Sequence, residues 1–95
     1  MGMNYLKKFN ITEENIKELE QQYNEGIIEF ITNNEAFITE KIEYLYSENI
    51  KNIYLLMKNN IRVFLETKLS VQKKIERLKQ QGFSSQMIEI KLMQH

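Results

Sequence analysis

The stretch IERLKQQGFSSQMIEIKL, Ile75 to Leu92, decides how the chain is read. Its apolar residues Ile75 and Leu78, then Ile88 and Leu92, recur three and four apart, which is the helical period. Gly82-Phe83-Ser84 separates the two runs. A glycine there suits the left-handed residue that ends a helix, and Ser84 supplies the hydroxyl that caps the next. Helix, turn and helix in this order fit either a DNA-reading motif or one turn of a helical repeat that binds by its surface. A homeodomain-type reader needs a third helix laid in the major groove, and this sequence ends before one begins. If the last helix were itself the reader, its exposed side should offer Arg, Asn or Gln to base edges. It offers Ser85, Gln86, Lys91 and Gln94. The repeat is the expected architecture.

Working outward, the whole chain carries helical spacing, and no Pro interrupts it. Thr12, followed by Glu13 and Glu14, predicts a helix start, with Ile16, Leu19 and Tyr23 on one face and a weakening near Gly26. A short apolar piece, Ile27 to Ile31, runs into Asn33-Asn34. A helix over about 35–47 then stripes Phe37, Ile38, Ile42 and Leu45 toward a core, and Asn49 ends it. Another from about Lys51 presents Ile53, Tyr54, Leu56 and Met57 before Asn59-Asn60. IRVFLE is a second short piece, followed by helices over 70–81 and from Ser84.

A shift of 33 residues superimposes much of this pattern. Ile28 falls on Ile61, Ile31 on Phe64, Ile38 on Val71, Ile42 on Ile75, Leu45 on Leu78 and Asn49 on Gly82. Internal similarity at such a period marks a helical solenoid. The expected fold is all-α: one domain over 1–95, a short solenoid-like array of about five to seven helices. It divides into an N-terminal helix (1–26) and two repeats (27–59 and 60–95).

Residues 49–94 then invite a comparison. Leu55 and Leu56, Val63 and Phe64, Thr67, Val71, Lys74-Ile75, Leu78 and Gly82-Phe83-Ser84 fall where a known repeat pattern places its apolar and turn residues. In this order they resemble the repeats of the mTERF (mitochondrial transcription termination factor) family, with residues 27–53 matching more loosely. Asn60 and Ile27 stand where that family keeps a proline. The resemblance implies a curved stack of helices that binds nucleic acid along a basic face.

Composition excludes several other functions. With no Cys there is neither a disulfide nor a thiolate site, and all thirteen acidic residues are Glu, with no Asp. No Gly-rich phosphate loop exists, since Gly2, Gly26 and Gly82 stand alone. The only histidine, His95, reads as a tag remnant rather than a catalytic base. No metal set, cofactor or enzymatic centre is expected. The longest apolar run, Ile53 to Met57, is far short of the roughly 20 residues a membrane span needs, so a cytoplasmic protein without membrane contact is expected.

The formal net charge of zero hides an asymmetry. Residues 1–48 hold four Lys and ten Glu, a net of −6, while residues 49–95 hold seven Lys, two Arg and three Glu, a net of +6. Lys73 and Arg77 are four apart on their helix, a like-charge pair that helix stability does not ask for. A basic patch of Lys51, Lys58, Arg62, Lys68, Lys73, Lys74 and Arg77 is therefore the candidate contact for phosphates or an acidic protein. One repeat earlier the corresponding flank carries Glu40, Lys41, Tyr44, Ser47 and Glu48. Glu40, Tyr44 and Glu48, with Met87, Ile90 and Met93 on the last helix, are the candidate protein interface. The two functions expected are nucleic-acid binding through the basic half and, alternatively, a protein-interaction or inhibitor module, with a homodimer through the last helix.

Overall fold

The computed structural model describes residues 2–94, so His95 lies outside the described residues. Among them the chain forms a 3₁₀ helix, Asn4–Phe9, and seven α-helices, with no strand. These are α1 (Glu13–Gln22), α2 (Glu25–Asn33), α3 (Glu35–Ser47), α4 (Ile53–Asn59), α5 (Arg62–Leu65), α6 (Lys68–Gln80) and α7 (Ser85–Met93).

Four of the helix starts, those of α1, α2, α6 and α7, follow side chains that satisfy orphan amides. The Thr12 hydroxyl accepts from the Asn15 amide at 3.0 Å, and the Asn15 side chain accepts in return from the Thr12 amide at 3.0 Å. Thr67 and Ser84 cap α6 and α7 in the same way, from the Ser70 and Met87 amides. Asn24 caps α2, which is why that helix takes Gly26 into its first turn rather than weakening there. Residues 1–26 are thus not one helix. Asn10, left-handed at φ 62°, ends the 3₁₀ helix, and the segment turns again at Tyr23 before α2 begins.

Helices α3 and α6 are both thirteen residues long, and their first residues are 33 apart. Both end on a left-handed residue, Asn49 at φ 63° and Gly82 at φ 91°. Beyond it the Ile50 amide donates to the Leu45 carbonyl at 2.9 Å, and the Phe83 amide to the Leu78 carbonyl at 3.2 Å. This is the Schellman closure, with the apolar pair Ile50 and Leu45 buried beneath it in the first case. The preceding helices differ, since α2 has nine residues and α5 four.

The buried residues form one cluster, from Met3, Leu6 and Ile11 through Ile38, Ile42 and Leu45 to Phe64, Ile75 and Leu92. Helix α3 packs against α2, α5 and α6, α4 against α1, α5 and α7, and α6 against α7. Polar bridges fix α7 along α4: Asn52 Nδ2 donates to Glu89 at 2.6 Å, and Asn60 Nδ2 to the Leu92 carbonyl at 2.7 Å. The result measures 40 × 23 × 22 Å. Among the described residues, no helix is long and apolar enough to cross a membrane.

Candidate functional site

Where α5, α6 and α7 meet, the surface opens into a groove of about 500 Å³. Four cations line it: Arg62 from α5, Lys74 and Arg77 from α6, and Lys91 from α7. Val63, Leu78 and Leu92 form its apolar floor, and Asn60 and Gln94 add polar edges. The one carboxylate among the described lining residues, Glu66, is already engaged. It accepts from Lys74 Nζ at 2.7 Å and from Ser70 Oγ at 2.8 Å. Burial pushes the Glu66 carboxyl up, but the hydrogen bonds from Lys74 and Ser70, with the charges of Lys74 and Arg62, outweigh it and hold its pKa below the ordinary value. Arg62, Arg77 and Lys91 have no carboxylate within 4.0 Å among the described residues. Lys91 Nζ instead stands 4.8 Å from the centre of the Phe83 ring.

The groove has a packing origin. Lys74, Arg77 and Leu78 occupy on α6 the positions that Lys41, Tyr44 and Leu45 occupy on α3. Helices α5 and α6 pack against α3, and there Lys41 and Leu45 are fully buried. Helix α6 has α3 and α7 beside it, and its Lys74–Arg77–Leu78 edge faces the groove.

Lys41, grouped by the sequence with the Glu40–Glu48 flank, is therefore buried rather than on its surface. Its amine donates to the Phe37 carbonyl at 2.9 Å and sits 3.0 Å from the centre of the Phe37 ring. Burial pushes its pKa down to about 8, against the opposing pull of Glu40 and Glu66. Tyr44, placed by the sequence in the candidate protein interface, is largely covered as well. It is half-buried, its hydroxyl is buried without a hydrogen-bond partner, and burial with Glu48 and Glu76 nearby pushes its pKa up to about 12. Tyr46 packs its ring 5.9 Å from that of Phe9. Both are half-buried because α6 and the 3₁₀ segment cover what a lone helix would expose.

The other expected contacts are dispersed. Arg62, Lys74 and Arg77 come together, while Lys51 borders a separate hollow with Phe9, Asn15, Asn52 and Tyr54. Lys58 belongs to the α1 side of α4, where its carbonyl accepts from Gln22 and Tyr23 and its amine lies 6.0 Å from the Tyr54 ring. Lys68 stands 5.9 Å from the Tyr44 ring, and Lys73 is exposed on α6 without lining the groove. Glu40 is exposed, whereas Glu48 is half-buried and paired with Lys79 at 3.1 Å. On α7, Met87 and Ile90 are 42% and 48% exposed, and Met93 packs partly against the core. Lys91 is the groove residue that the basic patch omitted. Its only sequence signal is its place on α7, because the α6–α7 packing that brings it to Arg77 is tertiary.

Among the described residues, no three His, Cys, Asp or Glu side chains lie close enough to hold a metal ion. Compared with known proteins, the chain matches no family model, no curated protein and no solved structure.

Proposed function

We propose that this chain is a non-enzymatic, all-α binding protein that holds nucleic acid by its phosphate backbone in the groove between α5, α6 and α7. The observation that carries this reading is the convergence of Arg62, Lys74, Arg77 and Lys91 on one groove where the single carboxylate among the described lining residues is already paired with Lys74. Two guanidinium forks suit phosphate oxygens, which they meet with paired donors. Among the described residues no aromatic side chain lines the groove, so these offer bases no stacking platform, and binding should carry little sequence preference. We further read residues 27–59 and 60–95 as two helical repeats of the mTERF-like kind. Their support is the equal length of α3 and α6, their 33-residue offset and their matching left-handed ends.

The test is binding of generic single- and double-stranded probes as salt is varied. About three phosphate contacts should give a slope of log K against log salt between about −2 and −3. Reversing Lys74 and Arg77 together to Glu should abolish binding, while Glu40→Lys should leave it in place. Absence of binding by the wild type at low salt would remove this reading.

A second reading has its own observation. Met87 and Ile90 leave an apolar face on α7 exposed, and the halves of the chain carry −6 and +6. An acidic protein surface, including the first half of another copy, fits such a cationic and apolar end. In that case the chain is an interaction module and forms a homodimer through α7.

A further inference from the structure

The structure assigns to Glu66 the part of a resident counter-anion, which holds Lys74 and competes with an incoming phosphate for it. This rests on the groove being the nucleic-acid site proposed above, and it names the residue that sets how tightly that site binds.

Glu66 is fixed where it stands. Its amide donates to the Arg62 carbonyl at 3.1 Å, closing α5, and the next residue, Thr67, caps α6. The backbone is thus held on both sides. Ser70 Oγ, one turn into α6, holds the carboxylate toward Lys74. Among the described residues, Lys74 is consequently the one groove cation with an anionic partner already in place, whereas Arg62, Arg77 and Lys91 have none. A phosphate that meets Arg62 and Arg77 enters beside a second negative charge. To use Lys74 as well, it must take the ammonium from Glu66 or share it. Binding then includes an ion exchange within the protein, and the opposing carboxylate weakens every phosphate within its reach.

The experiment is Glu66→Gln, which keeps the side-chain shape and removes the charge, with an oligothymidylate as probe. The variant should bind about five- to tenfold more tightly at low salt, the effect expected of one charge at close range near a protein surface. Its salt slope should also steepen by about 0.7, one further single-strand phosphate contact, because Lys74 becomes free to make it. A merely structural role for Glu66 would not change that slope in this direction. Glu66→Ala, which also loses the Ser70 bond, should show the same sign, and circular dichroism establishes that both variants are folded. Lys74→Met should weaken binding more in the Glu66→Gln background than in the wild type, and should remove the added slope, since only there is Lys74 free to meet a phosphate. If the wild type binds and neither Glu66 variant tightens binding or steepens the slope, the inference is wrong and the groove reading stands. If neither wild type nor variant binds at low salt, both fall together.

Discussion

Lys41 is the least expected side chain in the core. It lies on the α3 stripe with Ile38, Ile42 and Leu45, fully buried, with a carbonyl and an aromatic face as its partners and no carboxylate in contact. A buried ammonium without an ion pair costs stability, and the lowered pKa is the thermodynamic form of that cost. The sign follows from proton counts. Between about pH 8 and the ordinary 10.5, the unfolded chain binds the Lys41 proton more strongly than the folded one, so stability rises with pH across that window. Below the window the penalty is complete. Lys41→Met should therefore stabilise the fold at neutral pH by about 1–3 kcal/mol in urea unfolding, as replacing a buried charge with an apolar group of similar shape often does. It should also flatten the rise of stability between pH 8 and 10. The comparison stops there because Tyr5, Tyr23 and Tyr44, all raised by burial, begin to oppose it at higher pH. An unchanged profile in the variant would mean that the amine reaches water in the folded state.

Helices α3 and α6 share a way of ending, and chemistry distinguishes the two ends. Asn49 and Gly82 both take positive φ, but only glycine does so without a steric cost. A Cβ added at Gly82 meets nothing within 4 Å, so Gly82→Ala tests backbone strain alone. It should cost about 1–2 kcal/mol in thermal or chemical unfolding, whereas Asn49→Gly should be neutral or slightly stabilising. Equal effects of the two changes would place the cost elsewhere than in φ. The caps Thr12 and Ser84 and the stops Asn49 and Gly82 were legible in the sequence because each acts through its own few neighbours. The cap at Asn24 and the stop at Asn10 were missed, although both residues favour such positions. The apolar run after Gly26 suggests a later start for α2, while the Asn24 side-chain cap sets the earlier one.

For the chain as a whole, the open edge of α6 and the outer face of α7 pose the question of company. Ile88 and Leu92 point inward at 2% and 5% exposure, and Ile90, about 200° round the helix from Ile88, stands out at 48%. Scattered apolar residues on a surface need no partner, so their neighbourhood on one short helix has to be tested directly. On the homodimer reading, sedimentation at micromolar concentration should give a dimer mass at low salt, and Ile90→Lys should return it to monomer. A wild-type monomer mass, unchanged in that variant, would leave α7 as an ordinary terminal helix and return the groove to the nucleic-acid reading alone.

Helix type, most helix ends and the inward stripe of each long helix are decided by local spacing, capping hydroxyls and left-handed residues, and these are present in the sequence. So are the split of charge between the two halves and the expectation that Ile88 and Leu92 turn inward. Contacts between helices decide the rest. Of seven basic residues grouped by their place in the chain, packing brings Arg62, Lys74 and Arg77 to one groove, adds Lys91 from α7, and leaves Lys51, Lys58, Lys68 and Lys73 outside its lining. It also buries Lys41 and the Tyr44 hydroxyl beneath neighbouring helices while Lys74 and Arg77, at the corresponding positions of α6, stay exposed. The physical reason is one of range. A cap or a turn is settled within about one helical turn, whereas the exposure of a lysine depends on which helix, remote in sequence, comes to lie against it.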